Sequence, residues 1–66
     1  MEPKDADHSE FLQGVAYACA ELVRVGEATY ALEILRAAGI TTPRDLRRAG
    51  VDEYDAKPCR KILRQP

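Results

Sequence analysis

The sequence predicts an all-α fold, an antiparallel helical hairpin followed by two short helices packed onto it. Two observations carry that prediction. Apolar residues recur at steps of three and four from Leu12 to Val23 and again from Ala31 to Ala38, which draws a stripe along each helix. Gly26, Gly39 and Gly50 each follow a stretch of helical pattern, where a left-handed residue commonly ends a helix. No segment reads as a strand, and there is no internal repeat or low-complexity tract.

Residues 1–6 carry one proline and mixed charges with nothing to bury. They are expected to form a disordered tail ahead of a single helical domain over residues 7–66. Asp7, with Glu10 three residues later, has the spacing of a capping box and marks the expected start of the first helix. Its main stripe is Leu12, Val15, Ala16, Cys19, Leu22 and Val23, and Phe11, Ala18 and Val25 widen it. Gly14 lies mid-helix, where it costs about 1 kcal/mol relative to alanine. Close approach of another helix backbone is the expected reason for it. The second helix is expected over residues 27–38, with Ala31, Ile34, Leu35 and Ala38 on one face and Ile40 folding back past Gly39. The one or two residues between these helices require an antiparallel pair.

Thr42-Pro43-Arg44-Asp45 opens the third helix. Threonine caps, proline takes the first helical position where its missing N–H is harmless, and Asp45 completes the box. Leu46 is the anchor of this helix and Gly50 its end. Asp52 and Asp55 compete to cap the fourth. Pro58 interrupts a helix that starts at Asp52, but falls in the tolerated first turn of one that starts after Asp55. A tight turn over residues 51–54 and a helix over residues 56–64, burying Cys59, Ile62 and Leu63, is therefore expected.

Sixty-six residues make one domain near the lower size limit, with a thin core that buries only about 60% of the unfolded surface. Such scaffolds are often supported by a staple, a metal or a second copy of themselves. Two cysteines are too few for a disulfide framework. The apolar run over residues 15–20 is far short of the roughly 20 residues a membrane span needs. The polar first ten residues do not read as a signal peptide. The expected setting is the cytosol, with reduced thiols and no membrane partner.

Chemistry-bearing residues are sparse, and the expectation is a protein without enzymatic activity, cofactor or metal. The one histidine, His8, lies at the start of the first helix, about three turns from Cys19, too far to pair with it as a nucleophile. Two cysteines and one histidine without short ligand spacing make a poor zinc site. Cys19 and Cys59 read as small core hydrophobes, with a Cys19–Cys59 pair or an oxidation sensor as the alternative.

Binding is therefore the expected activity. Net charge is −1, yet residues 1–33 hold two Lys/Arg against seven Asp/Glu, and residues 34–66 hold eight against four. Such asymmetry points to a charged partner, or to an acidic helix set against a basic one. Arg44, Arg47 and Arg48 on the third helix and Arg60, Lys61 and Arg64 on the fourth suggest a small DNA-binding regulator. The interspersed Asp45, Asp52, Glu53 and Asp55, and a pI near 5.7, argue against it. Tyr17, with Gln13 and Arg24 as face neighbours, and Tyr30, beside Ile34 and Ala37, are candidate contact anchors. If both are exposed, the hairpin carries a second apolar-aromatic face suited to a protein partner or to a homodimer. The alternative is that both tyrosines cap the edges of a thin core.

Two resemblances extend this reading. Residues 34–63, with helix, Gly-Ile, capped short helix, Gly-Val and helix, resemble part of a helix-hairpin-helix or sterile-alpha-motif-like domain. The Gly-hydrophobic-Gly hairpin that contacts DNA is missing, so the resemblance implies only a compact helical cluster. Phe-Leu-Gln-Gly-Val-Ala-Tyr-Ala at residues 11–18, Leu-Arg-Ala-Ala-Gly-Ile-Thr at 35–41 and Ala-Gly-Val-Asp-Glu-Tyr-Asp at 49–55 are similar to small accessory proteins of temperate phages and prophages. That group includes anti-CRISPR proteins. The resemblance implies a host protein, such as a CRISPR effector, as the partner to be inhibited, and assigns no binding residue.

Overall fold

The computed structural model describes residues 4–64, with side chains from residue 8 onward. It contains four helices, α1 (Lys4–Arg24), α2 (Ala28–Ala37), α3 (Pro43–Arg48) and α4 (Glu53–Leu63), and no strand among the described residues. α1 packs against α2 and α4, and α4 packs against α2 and α3. The expected hairpin with two short helices folded onto it is the fold.

Two helix starts differ from expectation. α1 begins at Lys4, so Asp7 lies inside the helix rather than at its cap. Nothing from Lys4 onward breaks a helix, so the helical backbone runs through Asp7. Residues 1–3 of the expected tail lie outside the described residues. α4 begins at Glu53, not at residue 56, with Asp52 as N-cap: its Oδ1 accepts from Asp55 N–H at 3.0 Å. Pro58 therefore sits in the helix interior, where its missing N–H leaves the Tyr54 carbonyl without an intrahelical donor. Arg24 supplies one from α1, Nη2 to Tyr54 O at 2.7 Å. The tertiary contact removes the objection that the sequence alone raises against Asp52.

Elsewhere the local grammar holds. α3 carries the complete capping box of Thr42 and Asp45 with Pro43 in its first turn. The α2 ending is a Schellman motif: Gly39 takes φ +90°, Ile40 N–H donates to Leu35 O and Gly39 N–H to Arg36 O. This turn drives Ile40 fully into the core.

The core is one cluster of Ala16, Cys19, Ala20, Ala31, Leu35, Ile40, Leu46, Ala56, Cys59 and Ile62. Its centre is built from small side chains on α1, α2 and α4, which lets three helices approach one another with few large residues. The thiols serve this packing. Cys19 Sγ donates to Ala31 O and Cys59 Sγ to Ala16 O, each at 3.5 Å, and both cysteines are free. The pairing alternative is thus not realised.

Gly14 is not a close-approach position, because a Cβ there meets nothing within 4 Å and the residue is exposed. Gly14→Ala is expected to raise stability by about 1 kcal/mol through helix propensity alone. Urea denaturation checks this; a loss of stability would mean that another backbone does sit against this turn.

Candidate interaction surface

α1 is apolar over far more of its circumference than its contacts use. Gln13 and Arg24 face the α3–α4 side, since Gln13 Nε2 donates to Ala49 O at 2.8 Å and Arg24 reaches Tyr54. Cys19 faces α2. A second stripe, Phe11, Ala18 and Val25 with half-buried Val15 and Leu22 along its edge, lies about 140° around the helix from Gln13 and Arg24. Phe11 is 58% exposed and Val25 70%.

α2 repeats the arrangement. Ala31 and Leu35 are buried, while Tyr30 and Ile34 beside them are 62% and 42% exposed, with Ala37 one turn on. Right-handed winding of two antiparallel helices sets this flank of α2 next to the second stripe of α1. The result is one outer face of the hairpin, turned away from α3 and α4 and running from Phe11 to Val25. Four exposed glutamates border it: Glu10 and Glu21 on α1, Glu33 on α2, and Glu27 at the α2 N-cap.

The structure separates the two tyrosines expected to act together. Tyr30 belongs to the outer face. Tyr17, 58% exposed, lies on the Gln13–Arg24 stripe, beside the α3–α4 side of the molecule. Arg24 itself is committed within the fold. It bonds Glu21 at 2.6 Å, donates to Tyr54 O, and stacks its guanidinium 4.0 Å from the centroid of the Tyr54 ring.

Part of the expected basic set comes together: Arg47 of α3 and Arg60 of α4 line one small cleft, which Glu53 shares. Arg44, Arg47 and Arg48 are exposed on α3. Arg60 is held by Glu53 through two hydrogen bonds of 3.2 and 2.7 Å, an ion pair that pulls the Glu53 carboxyl below its usual value. Exposed Lys57, Lys61 and Arg64 line a shallow groove along α4 together with half-buried Arg60. The N-terminal turn of α4, the part of a recognition helix that approaches bases, carries Asp52, Glu53 and Asp55.

A cleft of about 560 Å³ lies between the start of α1 and the α2–α3 junction and includes His8, Asp45 and Arg48. Its carboxylate is already engaged: Asp45 Oδ2 accepts from Thr41 N–H at 2.9 Å and Thr42 N–H at 3.0 Å. These bonds hold its carboxyl below the ordinary value and keep it as a capping group rather than a base. His8 stacks on Phe11, with centroids 6.2 Å apart. Burial pushes the Cys59 thiol up to about 11 and raises that of Cys19, so neither favours a thiolate. Among the described residues no group of His, Cys, Asp and Glu is arranged to hold a metal ion, and no helix is long and apolar enough to cross a membrane.

Among the described residues Asp55 is the one buried carboxylate. Its Oδ1 lies 3.9 Å from Arg24 Nη2, near enough for attraction but too far for a hydrogen bond, and has no other donor. Desolvation, reinforced by Asp52, raises its pKa above the ordinary 3.8. A raised folded-state pKa gives stability that is complete below the unfolded value and is lost as pH rises through the folded one. Asp55→Asn is therefore expected to match the parent in acid and to exceed it by about 1 kcal/mol at neutral pH. Paired urea titrations across that range test this; a gap that opens instead toward acid would mean that the ionised carboxylate is stabilising.

The stripe of Phe11, Ala18 and Val25 is a component of the surface that periodicity alone assigns to the core, while Val15 and Leu22 at its edge do pack against the core. Its signal was the breadth of the apolar arc on α1, about twice the roughly 100° that one packing face occupies. Comparison with known proteins adds no further constraint: no family model, no curated protein and no solved structure matches the chain.

Proposed function

We propose that this protein is a non-enzymatic interaction module that works by covering a surface of another protein with the outer face of its hairpin. The observation that carries this reading is the continuous exposed face of Phe11, Ala18, Val25, Tyr30 and Ile34, which the fold itself does not need. Contiguous exposed apolar surface on a small domain marks an interaction site, and its two aromatic side chains supply large contact area at low entropic cost. The resemblance to accessory proteins of temperate phages supports a host protein as the partner class and inhibition as the outcome, a CRISPR effector being one such target. A DNA-binding regulator is the less favoured reading, because acidic side chains crowd the α4 N-terminus and Arg60 is tied to Glu53.

The test is affinity capture from a bacterial lysate with the parent chain and with Ile34→Asp, whose exposed position spares the core. One partner retained by the parent and lost by the variant is expected. Equal capture by both would remove the outer face from the function. Salt-sensitive retention of random duplex DNA that survives Ile34→Asp would favour the DNA reading instead.

A further inference from the structure

We infer that the outer face of the hairpin takes a basic amphipathic helix of its partner, rather than a second copy of this chain. Like the function proposed above, this rests on that face being an interface, and it adds the chemistry of what docks there.

The first argument is charge. The face is bordered by Glu10, Glu21, Glu27 and Glu33, all exposed. From residue 8 to the end of α2 the cations are Arg24 and Arg36. Arg24 is turned to α4, where it meets Tyr54 and Asp55, and its other nitrogen pairs with Glu21 at 2.6 Å. The border carboxylates without an ion-pair partner among the described residues are therefore Glu10, Glu27 and Glu33. Arg36 lies about 160° around α2 from Ile34, on the far flank. Among the residues whose side chains are described, the apolar strip thus has three free carboxylates on its border, Glu10, Glu27 and Glu33, and no free cation. Two copies packed through this face would set glutamates against glutamates, and an anionic nucleic acid would be repelled. A partner whose apolar anchors are flanked by Lys and Arg meets opposite charge on both sides.

The second argument is shape. Both walls of the face are helices whose backbone N–H and C=O groups are used internally, so an extended peptide finds no edge to pair with. Two adjacent helices present ridges and a groove between them, which a third helix fills by side-chain packing. From Phe11 to Val25 the face is about 21 Å long at 1.5 Å per residue, room for about four turns of partner helix. The anchors then recur at i, i+3 or i+4, and i+7, with basic residues beside them.

The test uses three synthetic helical peptides with the same Leu and Ile anchors, flanked by Lys, Gln or Glu. They are titrated against the full chain by fluorescence anisotropy. The Lys peptide is expected to bind at least about tenfold tighter than the Gln peptide, with the Glu peptide weakest, and added salt should narrow the spread. Ile34→Asp is expected to weaken the Lys peptide at least about tenfold, which separates docking from diffuse attraction. Glu10→Lys combined with Glu33→Lys should invert the order, with circular dichroism confirming an intact fold. Equal affinities for all three peptides, each lost in Ile34→Asp, would overturn the basic partner while leaving the interface standing. Binding of the Lys peptide that Ile34→Asp does not touch overturns both. Sedimentation of the chain alone is expected to give a monomer; a dimer broken by Ile34→Asp would make the occupant a second copy and refute the inference.

Discussion

Truncating Leu35 to alanine is expected to remove about 4 kcal/mol of stability, whereas truncating its neighbour Ile34 removes less than about 1 kcal/mol. The two residues are adjacent in sequence and similar in size, and only their placement differs. Leu35 is fully buried in a cluster whose other members on α1, α2 and α4 are largely alanines and cysteines. Small, rigid neighbours cannot extend into the space that leucine vacates, so the cavity persists and the cost lies in the upper part of the usual range. A domain of this size has a total stability on the order of 5 kcal/mol, so the Leu35 variant is expected to be substantially unfolded at physiological temperature. Urea denaturation of both variants with equal m-values measures the contrast. Equal losses at the two positions would mean that Ile34 also belongs to the core and that the outer face has been drawn wrongly.

Removing the Arg24 side chain is the second large effect, an expected loss of about 1–2 kcal/mol. Three consequences add on α4. The Tyr54 carbonyl loses its donor, the Tyr54 ring loses the stacked guanidinium, and Asp55 loses the nearest positive charge. The Glu21 pair contributes little, since it is a surface contact between neighbouring turns. The origin of the first loss is specific: Pro58 has no N–H to offer Tyr54. A double-mutant cycle with Pro58→Ala isolates it. Alanine at 58 restores the intrahelical donor, so Arg24→Ala should cost about 1 kcal/mol less in that background. An identical penalty with and without Pro58 would show that Arg24 acts by charge or stacking alone. Arg24→Lys should recover part of the charge but not the simultaneous carbonyl bond and planar stack.

These two residues also show what was legible in the sequence. The burial of Leu35 follows from its spacing to Ala31 and Ala38, because a three- and four-residue rhythm is local arithmetic on a helix. The Arg24 contact with Tyr54 was not legible. It joins residues 30 apart, and no local rule says which cation will meet which carbonyl. The misplaced start of α4 has the same cause. Judged locally, Pro58 disfavours a helix from Asp52; judged in the fold, the carbonyl it orphans is satisfied from α1.

The candidate surface was half legible for a related reason. The breadth of the apolar arc on α1 and the pairing of Tyr30 with Ile34 are sequence properties. Which part of that arc is core depends on where α2 and α4 settle, and that placed Phe11, Ala18 and Val25 outside and moved Tyr17 away from Tyr30.

The sequence alone determined the helical class, the hairpin, the capping box of α3 and the three glycine stops, because each depends on backbone preferences within one turn. Tertiary packing decided the start of α4, the role of Arg24, the open surroundings of Gly14 and the division of α1 into a buried and an exposed apolar side. Those features are set by contacts between residues far apart in the chain, where side-chain size and charge act across helices and periodicity within one helix cannot choose among them.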